Sequence, residues 1–117
     1  MLPNIFDKPG TSKTFRAGET VFATGDAADF MYVVKSGKVD ILRDGKLIET
    51  VEPNGFFGEL ALVDARGRTA TAKAQTDCEL APISEKQFLF MVGETPFFSL
   101  VVIREMAARL RRTHGEI

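Results

Sequence analysis

A single cysteine, Cys78, and a single histidine, His114, are all that this chain offers to thiol and imidazole chemistry. One cysteine closes no internal disulfide and builds no cysteine-based metal site. One histidine rules out a multi-histidine metal centre. An excess of charge of either sign is missing too: 15 Lys and Arg against 16 Asp and Glu leave a formal net charge of −1, which carries no signature of a nucleic-acid binder. No apolar run reaches the length of a transmembrane helix, so no membrane segment is expected. Met1 to Gly10 lacks the charged-then-apolar design of a secretory signal, and a cytoplasmic location is the expectation. There is no internal repeat and no low-complexity stretch. At 117 residues the chain suffices for one domain with its own core, not for two.

What is present concentrates in one stretch. Phe57-Gly58-Glu59-Leu60-Ala61-Leu62 is followed shortly by Arg68-Thr69-Ala70-Thr71. Gly58 lets the backbone approach a ligand closely. Leu60, Ala61 and Leu62 can form a short helical turn whose first N–H groups are free. Free N–H groups and a returning guanidinium together suit a phosphate. A carboxylate would repel that phosphate, so Glu59 needs another partner. Ionised Glu only accepts hydrogen bonds, which makes a sugar hydroxyl its natural donor. Phosphate beside ribose suggests a nucleotide.

The surrounding pattern is that of a β protein. Turn signals recur at Gly25-Asp26, Ser36-Gly37, Asp44-Gly45, Asn54-Gly55 and Arg66-Gly67, with short β-branched and aromatic segments between them. Asp44-Gly45 predicts a two-residue hairpin of type I′ between strands around Ile41 and Ile48. Val39 and Ile41 alternate with Asp40, so one face of that strand should be buried. Thr69 to Ala74 and Cys78 to Ile83 read as two further strands, with Cys78 an inert small hydrophobe. The period then changes. Ser84 with Gln87 fits a capping box, starting a helix that Gly93 should end. Thr95-Pro96 should open a second helix running to about Thr113, with Arg109, Arg111 and Arg112 at its negative end. The expected organisation is a single domain over 1–117: a lead-in at 1–11 with one helical turn near Ile5-Phe6, a β-roll over 12–83, and helices over 84–92 and 95–114.

The stretch from Gly58 to Thr71 closely resembles the phosphate-binding cassette of the cyclic-nucleotide-binding domain family. That family includes catabolite-activator-type transcription factors, kinase regulatory domains and cyclic-nucleotide-gated channels. Phe15-Arg16-Ala17-Gly18-Glu19 through Gly25-Asp26 is similar to its opening strands, and Met31 through Val39 to its central hairpin. The resemblance implies a mainly β fold with flanking helices: a β-roll or jelly-roll with a short phosphate-binding helical turn and a C-terminal lid or dimerisation helix. It implies a regulatory domain that binds cAMP or cGMP unchanged. It calls for no cofactor and no metal, and is not that of an enzyme.

The resemblance also assigns roles. Arg68 would pair with the cyclic phosphate, joined by the N–H groups of Leu60 and Ala61. Glu59 would accept from the ribose 2′-hydroxyl, and Gly58 would leave the backbone room beside the sugar. Thr69 could reach the phosphate and the 2-amino group of a syn guanine, and Ala70 completes the run. Ile41 lines either the sugar or base pocket or simply the core. Leu60 reads either as core or as the apolar hinge to the C-terminal helix. On that helix Arg109, Arg112, Thr113 and His114 are rival contacts to the base. Leu100, Ile103, Ala107, Leu110 and His114 follow a 3-4-3-4 spacing, with Val102, Met106 and Thr113 on the adjoining side. That arc suits either one wide contact with the barrel or two jobs, the second being a homodimer. Asp64 and Arg66 read as an exposed pair in a loop without the proline common in the family. No DNA contact is expected from this chain alone. The alternatives are a ligand-free interaction module on the same fold, or a piece of a larger transcription factor, channel or kinase.

Overall fold

The computed structural model describes residues 12–62 and 67–114. The expected turn at Ile5-Phe6 and the Asp64–Arg66 pair lie outside the described residues. Strands β1 (Lys13–Phe15), β2 (Thr20–Phe22), β3 (Met31–Ser36), β4 (Val39–Arg43), β5 (Lys46–Val51), β6 (Phe56–Phe57), β7 (Thr71–Ala74) and β8 (Cys78–Ile83) form two four-stranded antiparallel sheets. Their orders are β1-β8-β3-β6 and β2-β7-β4-β5. A 3-10 turn, Glu59–Leu62, follows β6, and helices α1 (Glu85–Glu94) and α2 (Phe97–His114) close the chain. This is the jelly-roll with flanking helices that the sequence leads one to expect.

β3 explains how the layers stack. Its run Met31-Tyr32-Val33-Val34 is buried at every position because both faces are covered. Tyr32 and Val34 point between the sheets, where they meet Phe22, Val39, Val51, Phe57 and Leu80. Met31 and Val33 point the other way, into a second core built with Phe56, Ile83, Met91, Phe98 and Val102. The two helices are therefore fixed to the outer face of the first sheet. Phe88 of α1 and Phe98 of α2 pack with ring centroids 5.3 Å apart.

Local chemistry sets the boundaries. β4 and β5 meet at Arg43↔Lys46, and both loop residues take positive φ, Asp44 at 52° and Gly45 at 79°, as a type I′ turn requires. Asp40, on the outward side of β4, accepts from Thr50 Oγ1 at 2.8 Å and Gln75 Nε2 at 2.9 Å. Ser84 and Gln87 form the reciprocal capping box of α1. Two expected boundaries move. Gly93 does not end α1: Thr95 N–H still reaches Met91 O at 2.8 Å, so the helical ladder runs on until Pro96 withdraws its N–H. Nor does β7 begin at Thr69. Arg68 N–H bonds to Asp26 O and its carbonyl accepts from Gly25 N–H, both at 2.9 Å, so the backbone is tied to the β2–β3 connection and enters the sheet only at Thr71.

Phe98 is 1% exposed and joins α2 to both α1 and β3. Phe98→Ala should destabilise the fold by about 3–5 kcal/mol, as large-to-small core changes do. Urea unfolding would measure it, and a loss below about 1 kcal/mol would contradict the packing described.

Candidate functional site

One face of the sandwich opens into a cavity of about 580 Å³. Its wall on one side is β4–β5, with Ile41, Arg43, Ile48 and Glu49. Its floor is Phe57 to Leu60 with Gly67 to Ala70, and its roof is α2, through Ile103, Met106, Ala107, Arg109 and Leu110. Seven of the expected ligand residues line this one space: Gly58, Glu59, Leu60, Arg68, Thr69, Ala70 and Ile41 from the β-roll, with Arg109 as an eighth from α2. Ala61 lies in the 3-10 turn, with its side chain outside the described residues. Thr113 and His114 end α2, and their side chains also lie outside them.

Two opposite charges are buried at the floor: Arg68 is 7% exposed and Glu59 8%. Arg68 is held from three sides. Its Nη1 donates to Gly58 O at 3.1 Å, its Nη2 donates to Phe30 O, and its guanidinium carbon stands 3.8 Å from the centre of the Phe22 ring. That ring supplies a cation–π contact in a desolvated place. Arg68 Nε has no hydrogen-bond partner among the described residues. Burial pulls the Arg68 pKa below the ordinary arginine value, and Tyr32, Asp29, Asp26 and Glu59 pull it partly back. Burial likewise raises the Tyr32 phenol, with Arg68 opposing.

Gly58 is required by this arrangement. Its φ is +76°, and a Cβ there would stand 2.9 Å from Arg68 Nη1 and 3.4 Å from the Phe30 carbonyl oxygen. The left-handed backbone aims the Gly58 carbonyl at the guanidinium and starts the 3-10 turn beyond it.

Glu59 is held from above. Its Oε2 accepts from Arg109 Nη1 at 2.8 Å, while Oε1 has no hydrogen-bond partner among the described residues. Arg109 also donates through Nη2 to Phe56 O at 2.7 Å, and its Nε lies 2.9 Å from Glu49 Oε1. Arg112 adds contacts to Glu105 at 3.0 Å and Glu49 at 3.4 Å. Burial works to lower the Arg109 pKa, but the charges and hydrogen bonds of Glu59 and Glu49 outweigh it and the net shift is upward.

Several sequence readings are corrected or extended. Leu60 is not core: it is 50% exposed at the cavity rim. Thr69 is exposed at the same rim, outside any strand. Arg109, one of the rival base contacts, lines the cavity and is bonded there to Glu59. The sequence reading missed Phe22, Phe30 and Glu49, which sit in strands or loops with nothing local to mark them. Among the described residues no three His, Cys, Asp or Glu side chains gather in a group that could hold a metal ion. No single helix there is long and apolar enough to cross a membrane.

Comparison with known proteins agrees with this geometry. The family model described as "Cyclic nucleotide-binding domain" matches residues 12–95. A CRP-like cAMP-activated global transcriptional regulator of Mycobacterium tuberculosis is 34% identical over 108 residues, covering 88% of this chain and 48% of the relative. The catabolite activator protein of Thermus thermophilus superposes with a TM-score of 0.78 at 30% identity, over 86% of this chain and 49% of that one. A cAMP-bound PfPKA-R structure superposes with a TM-score of 0.74 at 28% identity, over 86% of this chain and 35% of that one. The chain belongs to the cyclic nucleotide-binding domain family. It spans about half the length of the curated relatives it matches.

The Glu59–Arg109 contact gives a direct test. Arg109→Met leaves the Glu59 carboxylate buried without its cation and should cost about 3–5 kcal/mol of stability. Adding Glu59→Gln should recover a large part of that loss. A double variant no more stable than Arg109→Met would show that the pair is not coupled.

Proposed function

We propose that this chain binds a cyclic purine nucleotide, cAMP or cGMP, and transmits occupancy through α2 as a cytoplasmic regulatory domain. The observation that carries the reading is the burial of two opposite charges, Arg68 and Glu59, each held by other groups, at the floor of one cavity roofed by a helix. The guanidinium suits the cyclic phosphate, with the N–H groups of Leu60 and Ala61 beside it. Glu59 Oε1 is an acceptor for the ribose 2′-hydroxyl. Thr69 and Ala70 complete the phosphate end, and Thr69 leaves both purines open. The base extends toward Ile41 and α2, where Arg109, Thr113 and His114 are the contacts on offer. Ligand drawn against the floor pulls Leu60 inward and changes where α2 rests. It does so only to the extent that it binds the two positions with different affinity.

α2 supports a second role. Phe98 and Val102 are buried on the domain, while Leu100, Ile103 and Leu110 stay exposed, Ile103 at 58%. This stripe suits a homodimer through α2. Size-exclusion chromatography with light scattering should show a dimer that Ile103→Glu converts to monomer. A monomer at high concentration in the unsubstituted chain would refute the dimer.

Calorimetric titration with cAMP and cGMP tests the binding itself. Removing a charge-assisted hydrogen bond costs roughly 1.5–3 kcal/mol, so Arg68→Ala should weaken binding roughly 10- to 150-fold. Thr69→Ala should weaken cGMP more than cAMP. No binding of either nucleotide up to millimolar concentration would overturn the proposal and favour a ligand-free interaction module.

A further inference from the structure

Phe22 is out of step with its own strand. Residues two apart on a strand share a face, so Thr20 and Phe22 should point the same way. Thr20 is exposed and Phe22 is buried. The register accounts for this. Thr20 pairs with Lys73 and Phe22 with Ala72, so β2 advances two residues while β7 advances one. Such a bulge re-aims a side chain and interrupts regular pairing. Here it turns the Phe22 ring inward, opposite the fully buried Ala72 and against the Arg68 guanidinium. The ring is wedged in that position. Its centroid lies 6.1 Å from that of Tyr32 and 5.9 Å from that of Phe57, and those two rings stack at 5.4 Å. A Cβ at Gly58 would stand 3.4 Å from Phe22 Cε2, so the missing side chain there leaves room for the ring edge as well as for Arg68.

We propose that Phe22 is a positioning residue for Arg68: its ring fixes the plane of the guanidinium so that the remaining donors meet the anionic group of a ligand. The inference rests on the reading that the cavity takes a cyclic nucleotide. A guanidinium carries all its N–H donors in one plane, and its two faces carry none. Nη1 gives a donor to the Gly58 carbonyl and Nη2 gives one to the Phe30 carbonyl. Nε is buried with no hydrogen-bond partner among the described residues. An anion therefore meets Arg68 edge-on, and a two-point contact with phosphate needs that edge held in a set direction. The two carbonyls anchor only the Nη atoms and leave the plane free to rock about them. The ring against its face, 3.8 Å from the guanidinium carbon, removes that freedom. Ordering the side chain in advance takes its loss of freedom out of the binding step. Phe22 lines the same cavity, yet it has no polar atom to offer a phosphate or a ribose, so its effect on binding passes through Arg68.

The test is a cycle of Phe22→Leu, Arg68→Gln and the double variant in the whole 117-residue chain, titrated calorimetrically with cAMP and cGMP. Phe22→Leu keeps an apolar side chain and removes the π face. It should weaken the nucleotide that the unsubstituted chain binds roughly 2- to 30-fold, the range of a cation–π contact. In the Arg68→Gln background the same change should weaken binding no further. A second readout needs no ligand. The ring current of Phe22 shields the Arg68 guanidinium protons, so their NMR signals should move downfield in Phe22→Leu. Progressively fluorinated phenylalanines at position 22 keep the shape of the ring while weakening its π face, and affinity should fall along that series. Unchanged affinity in Phe22→Leu, an equal loss in both Arg68 backgrounds, unmoved guanidinium signals or a flat fluorinated series would each overturn the inference while the nucleotide reading stood. Failure of the unsubstituted chain to bind either nucleotide would be the distinct result that overturns that reading, and the inference with it.

Discussion

The burial of both Arg68 and Glu59 at the floor of one cavity is the constraint around which the rest of this domain is arranged. Each charge loses several kcal/mol of hydration on leaving water, and only dense pairing offsets that. The fold supplies the compensation from distant places. Phe30 gives a carbonyl, Phe22 a ring face, Gly58 a carbonyl turned by a left-handed backbone, and α2 gives Arg109. Removing any one of these leaves a buried charge short of partners. The site is thus stable only when the sandwich, the 3-10 turn and α2 are all in place, which makes it sensitive to where α2 lies.

Legibility in the sequence followed the range of the interaction. The Asp44-Gly45 hairpin and the Ser84 capping box were readable because their determinants lie within four residues. The Gly58-Glu59 to Arg68 run was readable as a pattern, and the structure buries its two charges. Boundaries set by longer contacts were not. The late start of β7 depends on Arg68 bonding to Asp26 across the sandwich. Gly93 carried a stop signal that the Thr95 bond to Met91 overrides. Arg109 and Glu59 are 50 residues apart, and Glu49 joins them from a strand where its alternation reads simply as solvent-facing.

The width of the apolar arc on α2 has a physical account in the same terms. Phe98 and Val102 satisfy the second core, and Met106 continues that contact more loosely. Leu100, Ile103 and Leu110 add nothing to it and remain exposed. Two of these, Ile103 and Leu110, also line the cavity together with Leu60. Closing the cavity and covering the stripe therefore draw on the same side chains. A change at one alters the apolar area left for the other.

The two oxygens of Glu59 indicate how occupancy would reach α2 under the proposed reading. Oε2 is engaged by Arg109, while Oε1 still has acceptor capacity. A ribose hydroxyl at Oε1 need not displace Arg109, since one carboxylate accepts several hydrogen bonds. Arg109 moreover keeps its contacts to the Phe56 carbonyl and to Glu49. Under that reading the ionic roof contact would persist with ligand bound and would act as a pivot rather than a latch. What a ligand would change is the apolar part: Leu60, half exposed on the rim, lines the same cavity as Ile103 and Leu110. Burial of such surface contributes roughly 25 cal/mol per Å², so a difference on the order of 40 Å² shared among these side chains, about 1 kcal/mol, would suffice for a roughly fivefold shift in the resting position of α2. On this account, the charges fix where the helix turns, and the leucines and isoleucine determine how far.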